Sequence, residues 1–414
     1  MSRDRSTEGR SQSTASIFRR LVSGRFGSII LPAIILQSVL IGGGYASGRE
    51  VVAYGAKFGS AGLLAVAGIF VGFTVMSIVV FEFSRRFHTY DYKSYMQGII
   101  WKGWPLFDLL FVVMATIVIA VMASAAGNIM EQTVGIPYLV GIVAIILVVA
   151  VLTYFGASLI ERFKTAGTGF LYVAYLLFGV LILSQVWGDV TSVFAAGNTS
   201  YVEDAGVASV LQSGILYVGY NLAIFPAVFF VLHRQETRKE SVVSGLLAGT
   251  MMTLPFLLTY LCLMGFYPQE SVMGAEVPWL PMLRSAAGPA VIAFYGIVIG
   301  WTLVETSVGA IHAIIDRIDA DLERIDAGRF EEVDGLTRMQ SGLLGGGILV
   351  AATLLSRVGI IALVAQGYTI MAYFFIALFA VPTLTVGVWR IVNPDWKQEF
   401  WSRVGAGSAA STGE

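Results

Sequence analysis

Ten stretches of this chain run for 18 residues or more with at most one Asp, Glu, Lys or Arg among them, and that pattern decides the medium in which it folds. A hydrocarbon layer about 30 Å thick is crossed by about 20 apolar residues in a helix. Nine stretches are free of those four residue types: 26–48, 58–81, 109–130, 132–160, 165–188, 205–232, 241–269, 339–356 and 358–389. The tenth, 285–315, is interrupted only by Glu305. Glu131 alone parts the third from the fourth, and Gly135-Ile136-Pro137 supplies the turn between them. Charged residues make up 13% of the chain, against roughly 25% in an ordinary soluble domain. The expected class is an all-α integral membrane protein of ten transmembrane helices, helix 1 to helix 10.

Lys and Arg concentrate on the cytoplasmic side of membrane proteins. With the N-terminus inside, only Arg49, Lys57, Arg284 and Arg357 of the 26 basic residues fall outside the alternate loops and tails assigned to the cytoplasm. Both termini are therefore expected to be cytoplasmic. Residues 1–25 are polar, Ser-rich and basic and read as a disordered tail rather than a signal peptide, and 393–414 as a second tail. A net charge of −1 gives no reason to expect nucleic acid, and the single Cys262 excludes an intrachain disulfide. Acids and bases mix from Asp316 to Asp334 with apolar residues at helical spacing, so helix 8 is expected to continue past the membrane. The loop 267–284 is long enough to act as a lid.

Inside the first apolar stretch stands Gly42-Gly43-Gly44-Tyr45-Ala46-Ser47-Gly48. Each glycine costs about 1 kcal/mol relative to alanine within a helix, so helix 1 is expected to unwind there. Backbone groups freed at membrane depth cannot face lipid and must line an enclosed cavity. Helix 6 carries a second disruption, at Gly214, Tyr217, Gly219, Tyr220, Asn221 and Pro226. The two breaks lie five helices apart, an odd number, so the two halves enter the membrane from opposite sides. That is the pattern of an inverted-repeat transporter with its site at the midplane. The halves are 26–188 and 189–392. Half-helix ends suit a zwitterionic solute, with the backbone of Gly42 to Ser47 and of Tyr217 to Asn221 as the binding surface. The plainer alternative is that the glycines only let helices approach closely.

Arg49 and Glu50 follow the break directly. Charges within a membrane helix are expensive enough to be functional by default: the two can pair with each other or with solute, Glu50 can carry a coupling proton, or both can stand in a water-filled vestibule. Glu305 in helix 8 is a second candidate for a gate or proton acceptor. Beside it Thr306 and Ser307 present adjacent hydroxyls, which either bond back to their own helix or join freed helix 1 carbonyls around sodium. Tyr45, Tyr217, Tyr220, Trp301, Tyr368 and Tyr373 lie near midspan as candidate pocket walls. Enzymatic readings find no support: the glycines lack a βαβ context, His88, His233 and His312 lack metal spacing, and no G-x-S-x-G occurs.

Ile41-Gly42-Gly43-Gly44-Tyr45-Ala46-Ser47-Gly48-Arg49-Glu50 resembles the helix 1 signature of the bacterial YkvI-like membrane proteins, close to G-A-G-F-A-[ST]-G-Q-E. That family looks like a branch of the amino acid-polyamine-organocation superfamily. The resemblance implies a LeuT-type five-plus-five inverted repeat with helices 1 and 6 unwound around solute and helices 3, 8 and 10 completing the pocket. It also implies solute contacts from Gly42, Gly44 and Ser47, and sodium ligands at Thr306 and Ser307. Gly43 and Arg49 stand where the pattern has Ala and Gln, so this chain carries an added positive charge. The expected function is an ion-coupled symporter for a small amino acid or related amine in the bacterial cytoplasmic membrane. Sodium is the expected coupling ion and a proton at Glu50 or Glu305 the rival. A receptor of the same fold, which senses amino acids without moving them, is the alternative, and a channel fits paired breaks less well.

Overall fold

A chain in lipid must satisfy its backbone within itself, and this one does so by helices alone: the computed structural model contains no strand among the residues it describes, 24–42, 45, 47–155, 157–326 and 338–393. Most of both tails and the stretch 327–337 lie outside these residues. Among the described residues, seven helices are long and apolar enough to cross a membrane. Three shorter apolar helices, Phe26–Leu40, Tyr138–Thr153 and Gly342–Ser356, fall where the remaining spans are expected.

The first span, α1, begins as a π turn, Phe26–Ile30, and continues as Leu31–Leu40. It leaves helical geometry at Ile41, with φ −77° and ψ 72°. A second piece, Arg49–Tyr54, begins after Gly48. Gly48 sits at φ +82°, and a Cβ there would stand 3.0 Å from Trp279 Cδ1, so both backbone and space call for glycine. The break is where the glycines place it; Gly43, Gly44 and Ala46 lie outside the described residues. A 3-10 turn, Ala56–Ala61, leads into α2, Gly62–Phe87. An amphipathic helix, Tyr92–Ile100, precedes α3, Trp104–Val134. Then come α4, Tyr138–Phe155, α5, Ala157–Ala195, and α6, which is α-helical over Val207–Asn221 and 3-10 over Leu222–Arg234. The chain continues with α7, Arg238–Met264, α8, Pro289–Asp326, and α9, Arg338–Ser356. The last span, α10, runs from Ile360 to Val392 and holds three π stretches, Leu363–Tyr368, Ile376–Ala380 and Thr383–Gly387.

The sixth span departs from expectation in an instructive way. It does not open at Gly214 to Asn221 but changes winding after Asn221, and a 3-10 run of 13 residues is far longer than the usual three or four. Its glycines serve packing instead. A Cβ at Gly214 would stand 2.9 Å from the Ala65 carbonyl oxygen of α2, and one at Gly219 would stand 2.7 Å from Ile376 Cδ1 of α10. Helix 7 uses the same device more strongly. Gly245 and Gly249, one turn apart, lie against the α2 backbone, where a Cβ would come within 2.8 Å of the Cα atoms of Ile78 and Thr74 respectively.

At one end of the bundle, where α1 begins, the elements are tied by polar contacts. Ser28 Oγ donates to Glu240 Oε1 at 3.1 Å, and Gln235 Nε2 to the Ser28 carbonyl at 3.0 Å. Arg317 of α8 pairs with Asp108 of α3 at 2.7 Å, and Tyr92 Oη donates to the same carboxylate at 2.6 Å. At the other end the connection between α7 and α8 folds into two short helices, Glu270–Met273 and Trp279–Ala286, over the second piece of α1. Arg49 holds it there: its Nη1 donates to the backbone carbonyls of Met273 at 2.7 Å and Ala275 at 3.1 Å.

Two outcomes follow. Gly249→Leu forces α2 and α7 apart, and is expected to abolish the monodisperse peak in size-exclusion chromatography or to lower the melting temperature by more than any lipid-facing Leu→Ala change in either helix. Arg49→Ala removes two hydrogen bonds from a charged donor, together worth about 3 kcal/mol, and is expected to speed amide exchange across 270–286 while leaving α3 unchanged.

Candidate functional site

The first and second pieces of α1 present different surroundings on either side of the break. On one side the break meets α8: a Cβ at Gly42 would stand 3.2 Å from Thr306 Cγ2 and 3.5 Å from its hydroxyl. Ser307, the next residue, is buried and donates its hydroxyl to the Leu303 carbonyl at 2.8 Å, one turn back along its own helix. Such a hydroxyl spends its proton on the carbonyl and keeps its oxygen lone pairs, so it stays available to a hard cation that binds oxygen. The hydroxyls of Thr306 and Ser307 are oxygen donors of the kind a hard cation takes, and Thr306 is the one that lies against the break at Gly42. Glu305, half-buried, adjoins them on α8.

On the other side stands Glu50. Side chains of successive residues leave a helix about 100° apart, since 3.6 residues make a turn, and here adjacency in sequence separates Arg49 from Glu50. Arg49 turns to the α7–α8 connection, whereas Glu50 turns inward and accepts a 2.5 Å hydrogen bond from Tyr220 Oη of α6. Of the alternatives, pairing of the two charges with each other is not formed. Glu50, 6% exposed, is closed off from open water, while Arg49, 9% exposed, borders a cavity. Ser47 is fully buried and its hydroxyl accepts from the Arg49 backbone N–H at 3.1 Å, taking up one of the free N–H groups at the start of the second piece of α1, whose N-cap is Gly48.

Aromatic side chains enclose the carboxylate. Tyr220 packs on Tyr217 at 5.4 Å between ring centroids and on Tyr368 of α10 at 4.6 Å. Tyr217 packs edge-on against Phe256 of α7 at 4.8 Å, and Tyr45 meets the same ring at 6.5 Å and Tyr175 of α5 at 6.2 Å. The hydroxyls of Tyr45 and Tyr217 are buried and have no hydrogen-bond partner among the described residues. Asn221, at the change of winding in α6, donates to the Tyr217 carbonyl at 2.8 Å. Of the candidate walls, Tyr45, Tyr217, Tyr220 and Tyr368 are thus brought together. Trp301 and Tyr373 are not: they are 37% and 51% exposed and lie on outer helix faces.

The residue that sequence reasoning missed is Tyr54. It lies four positions after Glu50, on the same helical face, and that spacing was the available signal. Its hydroxyl donates to the Val364 carbonyl at 3.1 Å and meets Thr369 Oγ1 at 3.2 Å, tying α1 to α10. Its ring packs on both Tyr217 and Tyr220, at 5.8 and 5.5 Å. Tyr54 also lines a cavity of about 540 Å³ with Arg49, Lys57, Ser213, Leu216 and Thr369. Asp204, in the connection before α6, borders that cavity; hydrogen bonds from the Ser209 hydroxyl and the Gly206 N–H hold its carboxyl below the usual aspartate range. Tyr54 is therefore the partition between an open cavity and a closed, acid-centred aromatic cluster. Tyr175 and Thr259, whose hydroxyls meet, come from α5 and α7 with no signal in the local sequence.

Similarity to known proteins bears on the helical architecture. No protein-family model matches the chain. The uncharacterized membrane protein YkvI of Bacillus subtilis (strain 168) is 25% identical over 254 residues, which cover 57% of this chain and 67% of that protein. Among solved structures, MhsT in complex with L-phenylalanine superposes with a TM-score of 0.58 at 16% identity, over 86% of this chain and 91% of that one. Mhp1 in an inward facing conformation gives 0.54 at 14% identity, over 87% and 76%. A Na+-coupled sialic acid symporter in its substrate-bound outward-open state gives 0.50 at 12%, over 87% and 86%. The chain is a multi-pass membrane protein with the LeuT-type fold, homologous to a YkvI-like membrane protein.

Proposed function

We propose that the protein is a secondary active transporter for a small amino acid or related amine, working by alternating access with sodium as the coupling ion. One observation carries the reading: the break in α1 lies against Thr306 of α8 at Gly42, and the piece of α1 that resumes after it carries a buried carboxylate, Glu50, held by α6. Ion and solute are thereby offered sites on the same unwound segment, so that occupancy of one changes the backbone that serves the other. The sodium ligands in this reading are Thr306, Ser307 and the backbone near Gly42. The solute surface comprises Gly42, Tyr45, Ser47, Tyr217, Tyr220 and Asn221, with Gly43 and Gly44, which lie outside the described residues.

Access alternates in this reading between the cavity beside Tyr54 and the opposite end, where Ser28–Glu240 and Arg317–Asp108 hold the bundle together. The distribution of Lys and Arg supports a bacterial cytoplasmic membrane orientation with both termini inside and the Tyr54 cavity outside.

Counterflow in proteoliposomes is the deciding measurement. Labelled amino acid is expected to accumulate against an unlabelled internal pool, and Thr306→Ala with Ser307→Ala to raise the sodium concentration for half-maximal uptake by about tenfold. Ligand binding without counterflow overturns transport in favour of a receptor. An unaltered sodium response removes α8 from the ion site.

A further inference from the structure

A carboxylate taken out of water is costly unless something answers its charge. Glu50 makes no ion pair among the described residues, and its hydrogen bond from Tyr220 is the single polar contact it has there. Six tyrosines lie within its electrostatic reach: Tyr45 and Tyr54 of α1, Tyr175 of α5, Tyr217 and Tyr220 of α6, and Tyr368 of α10. From α7 the cluster receives Phe256, which has no titratable group. Two remedies exist for such a carboxylate, a proton or a bound cation. The unpartnered hydroxyls of Tyr45 and Tyr217 choose between them. A proton on Glu50 leaves both hydroxyls unanswered, whereas a polar cation lodged among them answers all three groups at once. Tyrosine faces also attract an organic ammonium.

The cavity outside Tyr54 narrows the class of solute. Arg49 and Lys57 line it. Arg49 donates from Nη1 to two neutral carbonyls, and Lys57 lies over the Phe58 ring at 4.9 Å from its centroid. Asp204 borders the cavity as well, and Glu270 and Glu276 of the α7–α8 connection act on Arg49. The mouth thus carries both signs, with Arg49 and Lys57 as the groups on its wall that a solute carboxylate would meet. Deeper in, the aromatic cluster holds a carboxylate, Glu50.

We propose that Glu50 is the counter-charge for the ammonium group of a zwitterionic amine, held amine end inward, with the hydroxyls of Tyr45 and Tyr217 as its further hydrogen-bond partners. Tyr54 must swing off Val364 and Thr369 to admit it. This rests on the solute site proposed above and adds the solute's charge and its orientation.

Binding to the purified full-length protein tests the assignment, with two matched sets of probes: alanine, propionate and ethylamine, and phenylalanine, phenylpropionate and phenethylamine. At least one amino acid is expected to bind, and its deaminated acid to bind at least about tenfold more weakly. Glu50→Gln is expected to weaken the amino acid by about tenfold or more and to erase that preference, with Glu50→Asp restoring part of it. Should Glu50→Gln fail to fold, Tyr45→Phe serves: it deletes a hydroxyl that has no partner among the described residues, so the empty protein keeps or gains thermal stability while amino acid affinity falls. The assignment is overturned if the deaminated acid binds as well as the amino acid, if Glu50→Gln or Tyr45→Phe leaves affinity unchanged, or if no probe of either set binds. It is also overturned if Glu50→Gln alters only the pH dependence of the empty protein's stability, which is the signature of a proton alone. Glu50-dependent binding without counterflow overturns transport and leaves this inference standing; counterflow of a solute that lacks an amine does the reverse.

Discussion

Every peptide group within a membrane needs a partner, and the interrupted first helix concentrates that need in a few residues. The Ser47 hydroxyl takes up the Arg49 N–H, Gly48 turns the chain at a φ that favours glycine, and α8 closes against Gly42. Around it the helices pack closely: α2 and α7 are brought into backbone contact by Gly245 and Gly249, and α6 rests on α2 through Gly214.

Charge is handled with similar economy. Two consecutive charged positions in a water-soluble helix would be unremarked; here one cation and one anion, adjacent in sequence, are sent to opposite tasks. Arg49 organises the connection that covers the site, and Glu50 gives the aromatic cluster its polarity.

Much of this was legible in the sequence because lipid writes plainly. Charge-free runs of a fixed minimum length mark spans, and a glycine triplet inside one marks a break, whatever the rest of the fold does. The meaning of Gly214 and Gly219 was not legible, because a glycine needed for close approach looks the same as one needed for unwinding until the neighbouring helix is in place. The partnership of Glu50 with Tyr220 spans 170 positions and leaves no local pattern. Tyr54 was within reach, since four residues separate it from Glu50, yet six aromatic candidates near midspan drew notice by depth alone. Depth says nothing of azimuth, which is why Trp301 and Tyr373 turn outward.

The grip of Arg49 on the cover has a consequence for how this protein can change through time. Its partners are the carbonyl oxygens of Met273 and Ala275, which every amino acid possesses. Neither side chain takes part in the clamp, so what constrains Met273, which is fully buried, is its packing and not its hold on Arg49. A contact of this kind asks for no matched substitution at its far end, so statistical coupling between positions is blind to it.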